Sequence, residues 1–223
     1  MKKVNFRTTI IILILSFALT SCHIARKIDR HVAGQFNDQL PKPDKRADTT
    51  IAVKTSLPSD PNVISVTTKK WKHNLPLILY WKYDYRHTCV LNPAIGVNYV
   101  RKSINQQSGK LKQKLNGQQL ELSIEQIPQS FAIVDKGTIL LLLISWNKFY
   151  VEPDAKDLIV SYKVLKDGTL TKSGRLTISN VQKKAGIRFA QSLRSCVSEF
   201  LGRYNTDMTE MSKMIVNKLM EEL

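Results

Sequence analysis

The 223-residue chain predicts an α/β domain of the α+β kind, a two-layer sandwich in which two or three helices cover a mixed sheet of about four to six strands. Three observations point there. Runs with a period of two and runs with helical spacing share the C-terminal part in comparable weight. An Asp-Gly pair joins two strand-like runs. The composition, 43% hydrophobic against 23% charged, supplies a core for one domain of this length and excludes wholesale disorder and a multispanning membrane protein.

The globular domain is expected over residues 75–223. Leu77 to Trp81 is apolar, and Trp81, Tyr83, Tyr85, His87, Cys89 and Leu91 then alternate with Lys82, Asp84, Arg86, Thr88 and Val90, the pattern of a strand with an aromatic inner face. Asn92-Pro93 reads as an N-cap with proline at N1. Val97, Val100, Ile104, Leu111 and Leu115 fall near one face of the helix that follows, which Asn116-Gly117 stops. Leu120, Leu122 and Ile124 alternate with Glu121, Ser123 and Glu125, a second strand with one wet face, which Phe131 to Val134 extends past Pro128. After a turn at Asp135-Lys136-Gly137, the six apolar residues from Ile139 to Ile144 predict a central strand covered on both faces. Leu158 to Leu165 and Leu170 to Ile178 form a hairpin around Asp167-Gly168. Phe189, Leu193, Val197, Phe200 and Leu201, then Met208, Met211, Ile215 and Leu219, keep helical spacing to the C-terminus, with a break near Asn205.

The N-terminus is an address. Lys2, Lys3 and Arg7 precede an apolar run from Ile10 to Leu19, too short to span a bilayer and suited to a cleaved signal peptide over residues 1–21. The run ends in Leu19-Thr20-Ser21-Cys22, which resembles the lipobox of bacterial lipoproteins: a branched apolar residue, two small residues, then the cysteine. The resemblance implies that the Cys22 thiol carries diacylglycerol, that a palmitate-labelled mature chain starts there, and that two or three acyl chains hold it stably at a membrane. His23 stands where an aspartate would retain many such proteins in the inner membrane, so the resemblance implies the outer membrane. His23-Ile24-Ala25-Arg26-Lys27 is basic where surface-displayed lipoproteins are acidic, which favours the periplasmic face.

Residues 22–74 are expected to form the lipidated cysteine and a basic linker. They hold Pro41, Pro43, Pro58 and Pro61 and show no extended apolar periodicity. Forty flexible residues over 23–62 would reach about 35 Å. Ile24, Ile28 and Val32 recur every four residues among Arg26, Lys27 and Arg30, which suits either a short basic amphipathic turn on headgroups or a solvated tether. Asp48-Thr49-Thr50 resembles a short O-glycosylation pattern of exported proteins.

The formal charge of +16 stays strongly positive without the signal segment, which carries only Lys2, Lys3 and Arg7 among its charged residues. For an exported chain without a nucleic-acid motif this favours anionic lipid or an acidic envelope protein over nucleic acid. Lys69-Lys70-Trp71-Lys72-His73 has a composition suited to headgroups or anionic glycans, though such a run is more often a solvated edge of the domain. Lys110, Lys112 and Lys114 mark the wet side of the first helix.

Catalytic signatures are missing from the sequence: there is no G-x-S-x-G, H-E-x-x-H, P-loop or G-x-G-x-x-G. His87 and Cys89 share a strand face and with Cys196 could begin a metal site, yet no further ligand is evident, and a histidine packed among aromatics is the ordinary reading. With Cys22 acylated, Cys89 and Cys196 either pair in the oxidising periplasm or stay as two buried thiols. The element order behind a lipobox is similar to that of small envelope lipoproteins that serve as auxiliary subunits of lipid-trafficking ABC transporters. That likeness is architectural and implies no functional residue. The expected function is therefore a non-catalytic envelope adaptor or auxiliary binding subunit, without cofactor. The alternative is an enzyme acting on envelope glycan or lipid through Asp84, Tyr85 and His87.

Overall fold

The computed structural model describes residues 24–36, 50–77, 80–140, 144–186 and 191–223. The signal segment, Cys22, Asp48-Thr49 and Phe189 lie outside the described residues. The fold is α+β. Helix α1 covers residues 24–36. Then follow β1 (Ile51–Thr55), β2 (Ser65–Leu77), β3 (Tyr80–Leu91), α2 (Pro93–Gln106), α3 (Ser108–Leu115), β4 (Gln119–Gln126), β5 (Ser130–Leu140), β6 (Ile144–Pro153), β7 (Leu158–Lys166), β8 (Thr169–Ile178), β9 (Ala185–Gly186) and α4 (Leu193–Glu222).

The strands form two sheets where a single one was expected. The first, β1-β4-β7-β8, is mixed because β1 lies parallel to β4; the second, β2-β3-β5-β6-β9, is antiparallel throughout. The wet-face alternation expected of Leu120, Leu122 and Ile124 is seen in β4 of the first sheet, and β7 beside it buries Leu158, Val160, Tyr162 and Val164 in the same way. Helix α4 joins the sheets. Its Phe200 ring lies 4.8 Å from Phe131 of β5, while Glu222 at its far end accepts a hydrogen bond from the Tyr162 hydroxyl of β7.

Local chemistry explains the elements that form as expected. Asn92 caps α2, its side chain accepting from the Ala94 N–H at 2.9 Å and donating to the Asp60 and Val63 carbonyls, with Pro93 at N1. Asn116 (φ 46°) and Gly117 (φ 84°) end α3 in left-handed conformation. Asp167 and Gly168, both at positive φ, make the β7–β8 turn.

Several expectations are corrected. The stretch taken for a linker is largely structured. Ile28, Val32 and Phe36 of α1 are buried in the core, Asp29 accepts from the Thr67 N–H and the Ser65 and Thr67 hydroxyls, and β1 and most of β2 precede residue 75. The packed core thus includes residues of 24–36, so 23–62 is not one flexible 40-residue coil. The expected helix from Pro93 is two helices that meet at Gln107. Phe131 to Val134 do not extend β4; they open β5 in the other sheet. Asp135-Lys136-Gly137 is no turn but the middle of β5, where Gly137 leaves room for the Tyr83 ring: a Cβ there would fall 2.4 Å from Tyr83 Cζ. Ile139 to Ile144 is not a central strand. Its described residues end β5 and start β6, and Ile144 is 47% exposed. Finally, α4 runs unbroken through Asn205, because Asn205 points outward while Tyr204, Met208 and Met211 bury, and that burial outweighs the poor propensity of Gly202, Asn205 and Thr206.

Candidate functional site

Among the described residues, burial on the second sheet falls off along its long strands toward the paired ends of β2–β3 and β5–β6. On the core face, Cys89 and Leu91 of β3, Phe131 and Ile133 of β5 and Val151 of β6 are buried. Further along the same face come Tyr85, Tyr83 and Trp81, then Phe149 on β6 and Trp71 on β2, none of them buried. The aromatic inner face expected of β3 therefore exists, but only its Cys89–Leu91 end lies inside.

This uncovered half is organised by cross-strand pairing. Trp71 pairs with Tyr85 and Tyr85 with Asp135. The Tyr83 and Tyr85 rings are 5.2 Å apart, and the Lys69 ammonium lies 4.6 Å from the Trp71 ring centroid and 6.0 Å from that of Tyr85. Tyr83 hydrogen-bonds Asp135. Partial burial, with Asp135 beside them, raises both tyrosine pKa values, and burial raises that of Asp135 against the opposing effect of its Tyr83 bond. Burial first, then the Lys69 charge, lowers His87, whose Nδ1 is buried without a hydrogen-bond partner.

The opposite face of the same strands is basic. Lys72, Asp84, Lys136 and Lys148 stand in one row across β2, β3, β5 and β6. Lys136 and Asp84 pair at 3.0 Å, Arg86 pairs with Glu152, and Lys184 reaches Glu152 at 2.7 Å. Lys70, Lys72, Lys82, Arg86, Lys136 and Lys148 share this face with only Asp84 and Glu152 of opposite sign on these strands.

The basic run singled out in the sequence is thereby split. Lys69 and Trp71 belong to the aromatic face, Lys70 and Lys72 to the basic one, as strand alternation requires. The enzyme candidates are split in the same way: Tyr85 and His87 are on the core face, while Asp84 is on the other, paired with Lys136. Among the described residues no group of His, Cys, Asp and Glu could hold a metal ion. Cys89 and Cys196 are both buried and unbridged, and burial pushes each thiol up to about 11.

A separate cleft of about 520 Å³ lies between α1 and the start of α4, with Ile28, Leu193 and Val197 in its wall and Lys27, Arg30 and Arg194 beside them. His31 there contacts the Ser198 hydroxyl at 2.7 Å and is lowered by burial and by Arg194. Comparison with models of known families, with characterised proteins and with solved structures finds no match to this chain.

Sequence reasoning missed α1, β1, most of β2, β6 and the two-faced extension. The three tryptophans, 71, 81 and 146, are the signal that pointed to it, since they carry a minor residue type onto β2, β3 and β6, three of the four strands β2-β3-β5-β6.

Proposed function

We propose that the chain is an outer-membrane lipoprotein, anchored through Cys22 on the periplasmic side, that acts as a non-catalytic envelope adaptor or auxiliary binding subunit. The observation that carries this reading is Leu19-Thr20-Ser21-Cys22 behind a basic start and an apolar run. Its binding surface is the uncovered half of the second sheet. The aromatic face, with Lys69 between Trp71 and Tyr85, suits flat apolar or polyhydroxylated surfaces, and the basic face suits anionic groups. The separation of Asp84 from Tyr85 and His87 removes the support that the enzymatic alternative had in sequence proximity.

Crosslinking in intact cells, followed by purification from membranes, tests the reading. The wild-type chain should retain a reproducible envelope protein or lipid that Trp71→Ala and Tyr85→Ala lose at least in part, whereas His87→Gln should retain it. Equal recovery by all variants, or none by the wild type, would count against this surface.

A further inference from the structure

The far end of the extension is uncharged in sequence. From Leu75 to Trp81 and from Thr138 to Asn147 the sequence carries no charged residue. Described residues of these stretches meet in space, because β3 pairs with β5 through Tyr80–Leu140 and Trp81–Ile139, and β5 with β6 through Leu140–Ile144 and Thr138–Trp146. Trp81 and Trp146 sit on opposite faces of this end, so neither face is turned to a protein core. Ile144 is 47%, Trp146 59%, Trp71 60% and Trp81 36% exposed. An apolar end of this kind costs free energy in water and calls for a cover.

The surroundings identify that cover. Behind the apolar end comes Lys82, then the row Lys72-Asp84-Lys136-Lys148, three residues back along β3 from Trp81, or about 10 Å. Apolar tip, tryptophans, then lysines is the order met on passing from acyl chains through the interface to anionic headgroups. The depth matches the roughly 5–10 Å to which amphipathic elements enter a leaflet.

The anchor lies close to the packed domain. Cys22 precedes Ile24, the first described residue of α1, by two residues, a span of at most about 7 Å. A tether that short keeps the domain beside the leaflet to which Cys22 is attached.

We propose that the paired ends of β2–β3 and β5–β6 insert into the anionic leaflet to which Cys22 tethers the chain, giving the domain a second membrane contact and a fixed orientation. The orientation rests on the lipid-anchor reading; the insertion itself rests on the apolar end and its basic collar.

Because its three tryptophans are Trp71, Trp81 and Trp146, the chain's tryptophan emission, excited at the long-wavelength edge where tyrosine hardly absorbs, reports on this extension alone. The mature protein, reconstituted into phosphatylethanolamine–phosphatidylglycerol vesicles, is compared in lipids with and without bromine near the head of the acyl chains. Emission from variants keeping only Trp81 or only Trp146, the others changed to Phe, should fall about twofold or more, as for rings held near the interface. A variant keeping only Trp71 should be quenched less, and Ile144→Glu should relieve quenching of Trp81. Co-flotation with the vesicles reads the anchor separately. A chain that floats but whose Trp81 and Trp146 are unquenched overturns insertion while leaving the anchor; a chain that does not float overturns the anchor. Blue-shifted, unquenched emission with crosslinked dimers would assign the apolar end to a second copy and also overturn the proposal.

Discussion

Replacing Phe36 by alanine asks whether residues 24–36 belong to the fold or to a tether. Phe36 is 3% exposed, with its ring edge-on to Tyr204 at 6.3 Å, and Tyr204 is itself buried against α2 and the start of β5. A buried Phe→Ala exchange removes transfer free energy and leaves a cavity, which together cost about 3–5 kcal/mol. The lower part of that range, about 3 kcal/mol, is expected where the surroundings partly close over the space. For a domain of this size each kcal/mol lowers Tm by about 2–4 °C, which gives a fall of about 6–12 °C. Thermal melts of the mature protein in non-ionic detergent, followed by far-UV circular dichroism, would read it, with urea midpoints as a second measure. Ile24→Ala, at an exposed position of the same helix, should change stability by no more than about 0.5 kcal/mol. If Phe36→Ala melts within a degree of the wild type, α1 does not contribute to the core and the placement of the domain close to Cys22 is wrong.

Burial holds His31 and His87 below the ordinary 6.5, aided by Arg194 and Lys69 respectively, so the unfolded chain binds more protons between those depressed values and 6.5. Stability is therefore complete above pH 6.5 and declines as pH falls through that window; urea midpoints at successive pH values should show this, and His31→Gln with His87→Gln should flatten it. Asp135 and Asp207, raised by burial, act in the opposite sense nearer the carboxylate range. Cys89 and Cys196 should resist iodoacetamide in the native protein at pH 8 and both be alkylated in urea without reductant, whereas failure to label either in urea would reveal a bridge. Gly174→Ala should destabilise by about 1–3 kcal/mol by overpacking, since a Cβ there would meet the ring of buried Tyr162 at 2.6 Å, and an unchanged melting temperature would show that the ring can move aside.

The elements read correctly from sequence are those whose cause is local. Asn92-Pro93 starts α2 and Asp167-Gly168 turns the β7–β8 hairpin because side chain and backbone within four residues decide the outcome. What escaped depends on partners far along the chain. Ile24, Ile28 and Val32 show helical spacing, but spacing does not tell a helix lying on headgroups from one lying on α4, and the prolines downstream made a tether the simpler reading. The apolar run beginning at Ile139 looks like a buried central strand because six apolar residues in a row carry no signal of which faces the rest of the chain covers. Asp135-Lys136-Gly137 has the composition of a turn, and only its register with Tyr85, Asp84 and Tyr83 shows why glycine is needed in mid-strand. The candidate surface was legible in part: the Lys69–Lys72 segment lies on it, but its two-faced character follows from pairing with β3 and β5.

Attachment at Cys22 bears most directly on the whole account. Intact-mass analysis of the protein extracted from outer membranes, with fragmentation of its N-terminal peptide, measures it. The account predicts a chain that begins at Cys22 and carries diacylglycerol on its sulfur. A mature chain with an unmodified Cys22, or one that retains Met1, would contradict it.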